Sequence, residues 1–294
     1  MKINTDGLVM LSVAGQINSA VWPASRAYRV GGDGVLRVLP GTGGICYTHV
    51  IGDNAVSLKG DHVEPGVSIK AGSNDENAAL NTLACVGNEA AVITGSAKGA
   101  RGTVCGKHGG VDHVMVDFPN ATIERLCIGD KIQIRAFGQG AEIEGFSDLK
   151  VMNCDPALLK KWGISKSKGR LEVPVTHLVP SKIMGSGLGA TSCYSGDYDI
   201  QLFDRQVVRA YKLDSLRFGD LVAIVDADHS YGRRYLQGAV SVGVVVHSCS
   251  DMSGHGPGVT TLLTSPEGVI KPKIAKSANI GALMGLGRWR KGKR

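Results

Sequence analysis

Paired cysteines are missing from this chain. Its seven cysteines, Cys46, Cys85, Cys105, Cys127, Cys154, Cys193 and Cys249, stand singly, in odd number and without a CxxC pair. That excludes a disulfide or zinc-finger framework and predicts reduced thiols in a cytoplasmic protein. Long apolar runs are missing too, since none approaches the ~18 residues that cross a bilayer. The opening MKINTDGLVMLSVAGQ sets Asp6 ahead of a short, broken apolar stretch. Neither a membrane span nor a secretory signal is expected. Regular helical periodicity is scarce, and aromatic residues make up only 5% of the chain. Positive charge is largely local: of the formal +7, Arg288, Arg290, Lys291, Lys293 and Arg294 supply five within the last seven residues. The near-neutral body argues against a nucleic-acid surface. The tail from Gly287 is expected to be solvated and dispensable for the fold, unless Trp289 anchors it on a partner subunit.

Glycine is abundant. It fills 41 of 294 positions, about twice the usual ~7%, which suits a tightly turned globular protein. Short β-rich runs bounded by Gly dominate: AAVITG, VDHVMVDF, KIQIRAFG, DLVAIVDA and VSVGVVVHS. These predict a mainly β protein with barrel-like or sandwich sheets and a few short helices. The clearest helix is DPALLKKW, with Asp155 as cap and Pro156 in the first turn. Leu-Cys-Ile-Gly129-Asp130 and Leu-Arg-Phe-Gly219-Asp220 repeat a turn that leads into a strand, once in each half. The expected layout is a β domain over residues 1–145, a connecting segment over 146–170 with the short helix and the polar run SKSKGR, a second β domain over 171–280, and a basic tail over 281–294.

Chemistry-bearing residues gather in three places. After the second turn the chain reads Val225-Asp226-Ala227-Asp228-His229, where the first copy has no such groups. On a regular strand Asp226 and Asp228 share a face, and their repulsion calls for a cation, either a metal ion or Arg233 and Arg234 just beyond. Upstream, Asp197, Asp199 and Gln201 alternate with Tyr198 and Ile200, and His177 and Lys182 flank the turn Gly185-Ser-Gly187-Leu-Gly189, a candidate anion nest. In the first half His49, Asp53, Asp61 and His62 fall within one window, and Asp61-His62-Val-Glu64-Pro65-Gly66 reads as a turn leading into a strand. Cys46, Cys105 and Cys249 each have a histidine close in sequence, the arrangement a thiolate nucleophile needs.

The strings LPGTGGICYTHVIGDNAV, GDHVEPGVSI, GKHGGVDHVMVDFP, PVTHLVPSKIMGSGLG, YSGDYDIQ, DADHSYGR and GHGPGVTTLLTSPEG resemble the bacterial and archaeal domain-of-unknown-function family 4438 over about residues 30–279. That resemblance implies a mostly β, two-part fold and carries no activity with it. A fainter similarity is to the metal-dependent acetamidase/formamidase family, through His62-Val-Glu64-Pro65-Gly66-Val67 and Asp226-Ala227-Asp228-His229. Here Val67 stands in place of an Asp, Ala227 in place of a Gly, and that family's Gly-Asp-Gly-Glu segment has no counterpart.

Together these features point to a metal-assisted hydrolase acting on a small polar amide, cyclic amide or carboxylate-bearing metabolite. A divalent ion would be held by Asp226, Asp228, His229, Asp199 and His62. Asp228, His229 and His177 would serve as catalytic groups, and Lys182, Arg233, Arg234 and Asp197 would bind substrate. The alternatives are a metal-free isomerase or lyase using an Asp/His pair, and a non-catalytic small-molecule-binding β protein. Self-association into a symmetric oligomer is expected because Gly-rich β domains leave sheet edges to cover.

Overall fold

The computed structural model describes residues 1–22, 25, 27–189 and 192–291. The first half runs through β1 (Leu11–Ile17), a ribbon of β2 (Arg29–Val30) and β3 (Leu36–Arg37), β4 (Val67–Lys70), α1 (Asn74–Leu83), β5 (Glu89–Val92), β6 (Arg101–His108), β7 (His113–Asp117), α2 (Asn120–Ile123) and β8 (Lys131–Ala136). Six of these strands close into a barrel in the order β1-β4-β7-β6-β5-β8. Alternation explains the closure: in β8, Ile132, Ile134 and Ala136 are buried while Lys131, Gln133 and Arg135 are exposed. Ile132 and Ile134 join Ile17, Ile69, Val92, Val104 and Val116 in the barrel core.

The second half contains β9 (Lys150–Val151), α3 (Pro156–Lys161), β10 (Ser165–Ser167), β11 (Arg170–Val175), β12 (His177–Pro180), β13 (Tyr198–Asp199), α4 (Arg205–Tyr211), β14 (Leu221–Asp228), β15 (Arg234–His247), β16 (Gly258–Ser265), β17 (Ile270–Ile274) and α5 (Ile280–Met284). Its main sheet has the order β12-β14-β15-β16-β13, with β9 added on β16. Strands β14 to β16 are buried along most of their length. Strand β6 of the barrel packs on β15 and β16, and burial on both faces suits their scarcity of charged residues. The fold is mainly β, and α3 starts where Asp155 accepts the Ala157 N–H at 2.7 Å. The run SKSKGR forms the β10–β11 hairpin of a small sheet completed by β17.

The two Gly-Asp turns have the same local build. Gly129 and Gly219 take φ of 91° and 84°, and Asp130 and Asp220 each accept the backbone N–H three residues back, from Cys127 and Arg217, at 2.9 Å. A third copy follows His49: Gly52 has φ 97° and Asp53 accepts from the Val50 N–H at 2.9 Å. Only glycine adopts such φ values without a Cβ penalty.

The chain's end departs from expectation. Gly287–Trp289 forms a short helical turn whose Arg288 N–H donates to the Ile51 carbonyl at 3.0 Å, with Arg288 paired to Asp53 and Arg290 to the buried Asp117. The segment through Arg290 is docked, since its charges meet carboxylates that the barrel presents. Lys293 and Arg294 lie outside the described residues. No helix among the described residues is long and apolar enough to cross a membrane.

Candidate metal centre

The site forms where one end of the barrel meets the second sheet. Strand order does much of the placing: β15, β16 and β13 lie side by side, with His247 and Asp199 both opposite Gly258. A glycine in the middle strand leaves a gap over which the flanking side chains meet. His247 Nε2 lies 2.8 Å from Asp197 Oδ2 and 3.2 Å from Asp199 Oδ1. The barrel supplies His108 at the end of β6 and His62 from the turn ahead of β4. The His108 and His247 rings lie 4.2 Å apart, and the His62 and His247 rings 4.9 Å. His255, from the β15–β16 connection, places Nδ1 2.9 Å from Asp199 Oδ2 and 3.1 Å from His62 Nε2.

Each of the three deep imidazoles is tethered at Nδ1, which leaves Nε2 for the centre. His62 Nδ1 faces Asp61 Oδ1 at 3.1 Å, His108 Nδ1 contacts Glu64 Oε1, and His247 Nδ1 donates to the Ser248 carbonyl at 2.9 Å. Acceptors on the far nitrogen are the usual support of metal-ligating histidines. Those acceptors are themselves held: Asp61 by Arg29 and by the Ser250 hydroxyl at 2.6 Å, Glu64 by His113 and by the Gly43 N–H at 2.8 Å. Burial opposes the charge on Glu64, yet the imidazoles of His108 and His113 hold its carboxyl well below the usual range. His62 keeps a left-handed backbone, φ 55°, to bring its ring into the cluster.

Electrostatics requires positive charge here. Burial favours neutral imidazoles, but Asp197 and Asp199 push His247 well above its ordinary pKa, and Asp199 and Asp61 raise His62. Protons alone fit poorly: Asp197 Oδ2 and His247 Nε2 are both buried and neither has an aligned hydrogen-bond partner. A buried imidazole and carboxylate in contact without an aligned hydrogen bond suit a shared cation. His62, Asp199 and His255 form one group with metal-ligating spacing, and His108, Asp197 and His247 form another. Beside them opens a cavity of about 530 Å³ lined by Arg29, Ser186, Ser195, Arg233 and His255.

Family models place this architecture. One described as Domain of unknown function (DUF4438), N-terminal, matches residues 28–160, and its C-terminal counterpart matches residues 161–284. The chain belongs to the DUF4438 family. A crystal structure titled "Crystal structure of TM1086" is similar to this DUF4438 chain, with 47% identity, a TM-score of 0.91 and coverage of 96% of this chain and 98% of that one. No curated protein matches it.

Of the ligands expected from sequence, His62 and Asp199 meet, and Asp197, expected to bind substrate, joins them. Asp226, Asp228 and His229 go elsewhere. A bulge between Val225 and Ala227 gives Asp226 a left-handed φ of 61°, breaking the alternation that would have aligned it with Asp228. Asp226 instead accepts the Gly238 N–H at 2.8 Å. Asp228 is buried against Arg234 at 2.8 Å and accepts the Ser230 N–H at 3.0 Å. His229 packs edge-on against Tyr198, with Nδ1 2.9 Å from the Thr261 hydroxyl. Arg233 does reach the cavity, whereas Arg234 is committed to Asp228 and Lys182 is exposed away from the lining.

His177 sits in a separate cavity, 2.9 Å from both the Thr176 and Ser215 hydroxyls. It is 3.9 Å from Asp220, but burial lowers the His177 pKa and raises that of Asp220 to about 6, so the contact is not a strong ion pair. The Gly185–Gly189 turn is no anion nest, because the N–H groups of Gly185, Ser186 and Gly189 donate to the Asp199, Gly254 and Arg233 carbonyls. The thiols of buried Cys105 and half-buried Cys249 are both pushed up, the latter to about 11, which removes them as thiolate nucleophiles. His49 and Asp53 turn to Thr48 and Arg288 rather than the site.

Sequence reasoning missed His108, His247 and His255 as candidate ligands. The histidine closing the Val-rich run of β15 and the one in GHGPG were the available signals.

Two predictions arise here. Replacing Glu64 with Gln keeps its shape but removes the charge behind His108, and metal affinity is expected to fall about 10- to 100-fold. Competition against a chromogenic chelator measures this, and unchanged affinity would show that Glu64 does not support a ligand. The second concerns acid. Burial and the nearby Arg233 lower the His229 pKa to about 3, with Asp228 opposing. Above the unfolded value near ~6.5 both states are neutral. As pH falls from there toward about 3 only the unfolded state takes up the proton, so stability is lost on acidification, on the order of 5 kcal/mol in full. His229→Gln should flatten this acid limb in urea unfolding between about pH 6.5 and 4, and an unchanged slope would refute the assignment.

Proposed function

We propose that this protein is a metal-dependent hydrolase of a small, polar, anionic carbonyl compound such as an amide or cyclic amide. The observation that carries the reading is the convergence of His62, His108 and His247 on Asp197 and Asp199, with buried Asp197 Oδ2 and His247 Nε2 lying 2.8 Å apart without an aligned hydrogen bond. A divalent ion held by these groups supplies a Lewis acid for the carbonyl and lowers the pKa of a water toward ~7. The ligand set, imidazole and carboxylate without thiolate, suits Zn²⁺ and other first-row ions.

The chain's own residues account for binding. A cavity of about 530 Å³ takes a metabolite-sized molecule. At its wall Arg233 is only 4% exposed, stacks over Tyr198 at 5.1 Å and donates to the Gly187 carbonyl at 3.3 Å. Its Nε and Nη2 have no partner among the described residues. A guanidinium that keeps its charge while buried is suited to hold a substrate carboxylate. Arg29 lines the same cavity from the β2–β3 ribbon, and Ser186 and Ser195 add polar side chains to its lining.

The test is elemental analysis of purified protein, followed by reconstitution of chelator-treated protein with Zn²⁺, Mn²⁺ or Co²⁺ and assay against N-acyl amino acids, amino-acid amides and cyclic amides. Tight binding lost in His247→Ala and Asp197→Asn, with metal-dependent release of amine or ammonia, supports the reading. Failure of the wild-type protein to bind any of these ions at micromolar concentration overturns it.

A further inference from the structure

The two ligand groups are distinct in place and exposure, and one residue belongs to both. Asp199 turns Oδ1 toward His247 Nε2, at 3.2 Å, and Oδ2 toward His255 Nδ1 and His62 Nε2, at 2.9 and 3.4 Å. We infer that the centre binds two divalent ions bridged by the Asp199 carboxylate, an inner ion on His108, Asp197 and His247 and an outer ion on His62 and His255. This deepens the hydrolase reading and rests on its metal site.

Geometry carries the inference furthest at the outer position. Ligand atoms ~2.1 Å from one ion lie roughly 3.0 to 3.4 Å apart when their angle at the ion is about 90° to 109°. The three outer contacts, Asp199 Oδ2 to His255 Nδ1 at 2.9 Å, His62 Nε2 to His255 Nδ1 at 3.1 Å and His62 Nε2 to Asp199 Oδ2 at 3.4 Å, already have that spacing. At the inner position Asp197 Oδ2 and His247 Nε2 are buried and lie 2.8 Å apart without an aligned hydrogen bond. The other oxygen of Asp197 is occupied, accepting the Gly109 N–H at 2.7 Å. A carboxylate using one oxygen per side sets two ions at the ~3.5–4 Å separation of two-metal hydrolytic sites.

Charge agrees. Asp61, Glu64, Asp197 and Asp199 are all at least nine-tenths buried in or behind the centre. Apart from histidines, Arg29 is the one cation ion-paired to any of them among the described residues. With neutral imidazoles three negative charges remain, or two once the buried Arg233 at the cavity wall is counted. Two divalent ions exceed them by one or two charges, those of a hydroxide and an anionic substrate group.

The inner ligands are all buried, His247 completely, while His255 keeps 30% of its side chain exposed at the cavity. The inner ion is therefore slow to exchange and structural in character, and the outer ion exchanges and meets substrate. Stoichiometry tests this directly: chelator-stripped full-length protein is titrated with Mn²⁺ and Zn²⁺, by calorimetry and by metal analysis after gel filtration. The wild-type protein should bind two equivalents in two steps, and the Mn²⁺ form should give an exchange-coupled paramagnetic resonance spectrum. His255→Ala should keep one equivalent with an uncoupled spectrum, and His108→Ala should lose the slow-exchanging ion. The wild-type measurement needs no variant to fold. Saturation at one equivalent, or two without magnetic coupling, would overturn the bridged pair and leave the single-ion hydrolase intact. No binding would overturn both.

Discussion

Gly258→Ala is expected to abolish metal binding although Gly258 has no side chain to ligate with. A Cβ built there would lie 1.9 Å from Asp197 Oδ2 and 2.2 Å from His247 Nε2, inside any tolerated contact. Neither neighbour yields easily. Asp197 is tied to the Gly109 N–H, His247 to the Ser248 carbonyl, and both side chains are buried. One methyl group would therefore displace the two inner ligands, lowering affinity by more than about 100-fold, beyond what loss of a supporting contact costs. Activity should fall with occupancy. Gly72→Ala is the control, because nothing lies within 4 Å of the added Cβ. Metal retention in Gly258→Ala at the wild-type level would mean that these ligand atoms do not hold an ion.

Removing residues 288–294 is expected to destabilise the protein by about 3 kcal/mol or more. Arg290 is the ion-pair partner of Asp117, which is 1% exposed. Burial already raises the Asp117 pKa, with Arg290 opposing, so truncation leaves that carboxyl to protonate or sit unpaired in the interior. Asp53 loses Arg288, and the Trp289 ring leaves the surface of Gly52 and Gly281, where an added Cβ would come within 2.5 and 2.9 Å of its Cζ3. These losses fall together at the junction of barrel and sheet. Denaturant midpoints of full-length and truncated chains decide the matter, and a difference below about 0.5 kcal/mol would return the segment to the dispensable tail its composition suggests.

That contrast shows what composition misreads. A run of Arg and Lys looks solvated until the carboxylates that receive it are known, and Asp53 and Asp117 lie far upstream in sequence. The candidate centre is similar. Asp197 and Asp199 were legible as a pair on one face because strand alternation is local, and Asp61-His62 was legible as a turn ahead of a strand. Asp226 and Asp228 had the same spacing but do not share a face, since a bulge set by pairing with β15 inserts a left-handed residue between them. Local pattern carries no sign of that bulge.

By itself the sequence determined the mainly β class, the Gly-Asp turns that begin strands in both halves, the Asp155-capped helix and the absence of paired cysteines. Each depends on residues a few positions apart, whose backbone preferences act within one turn or strand. Tertiary structure alone decided the candidate metal centre. His62, His108, Asp199, His247 and His255 come together because a closed barrel docks on a sheet whose order sets Gly258 between two ligands. No spacing in the chain encodes that meeting, because which strands become neighbours depends on how both hydrophobic cores pack.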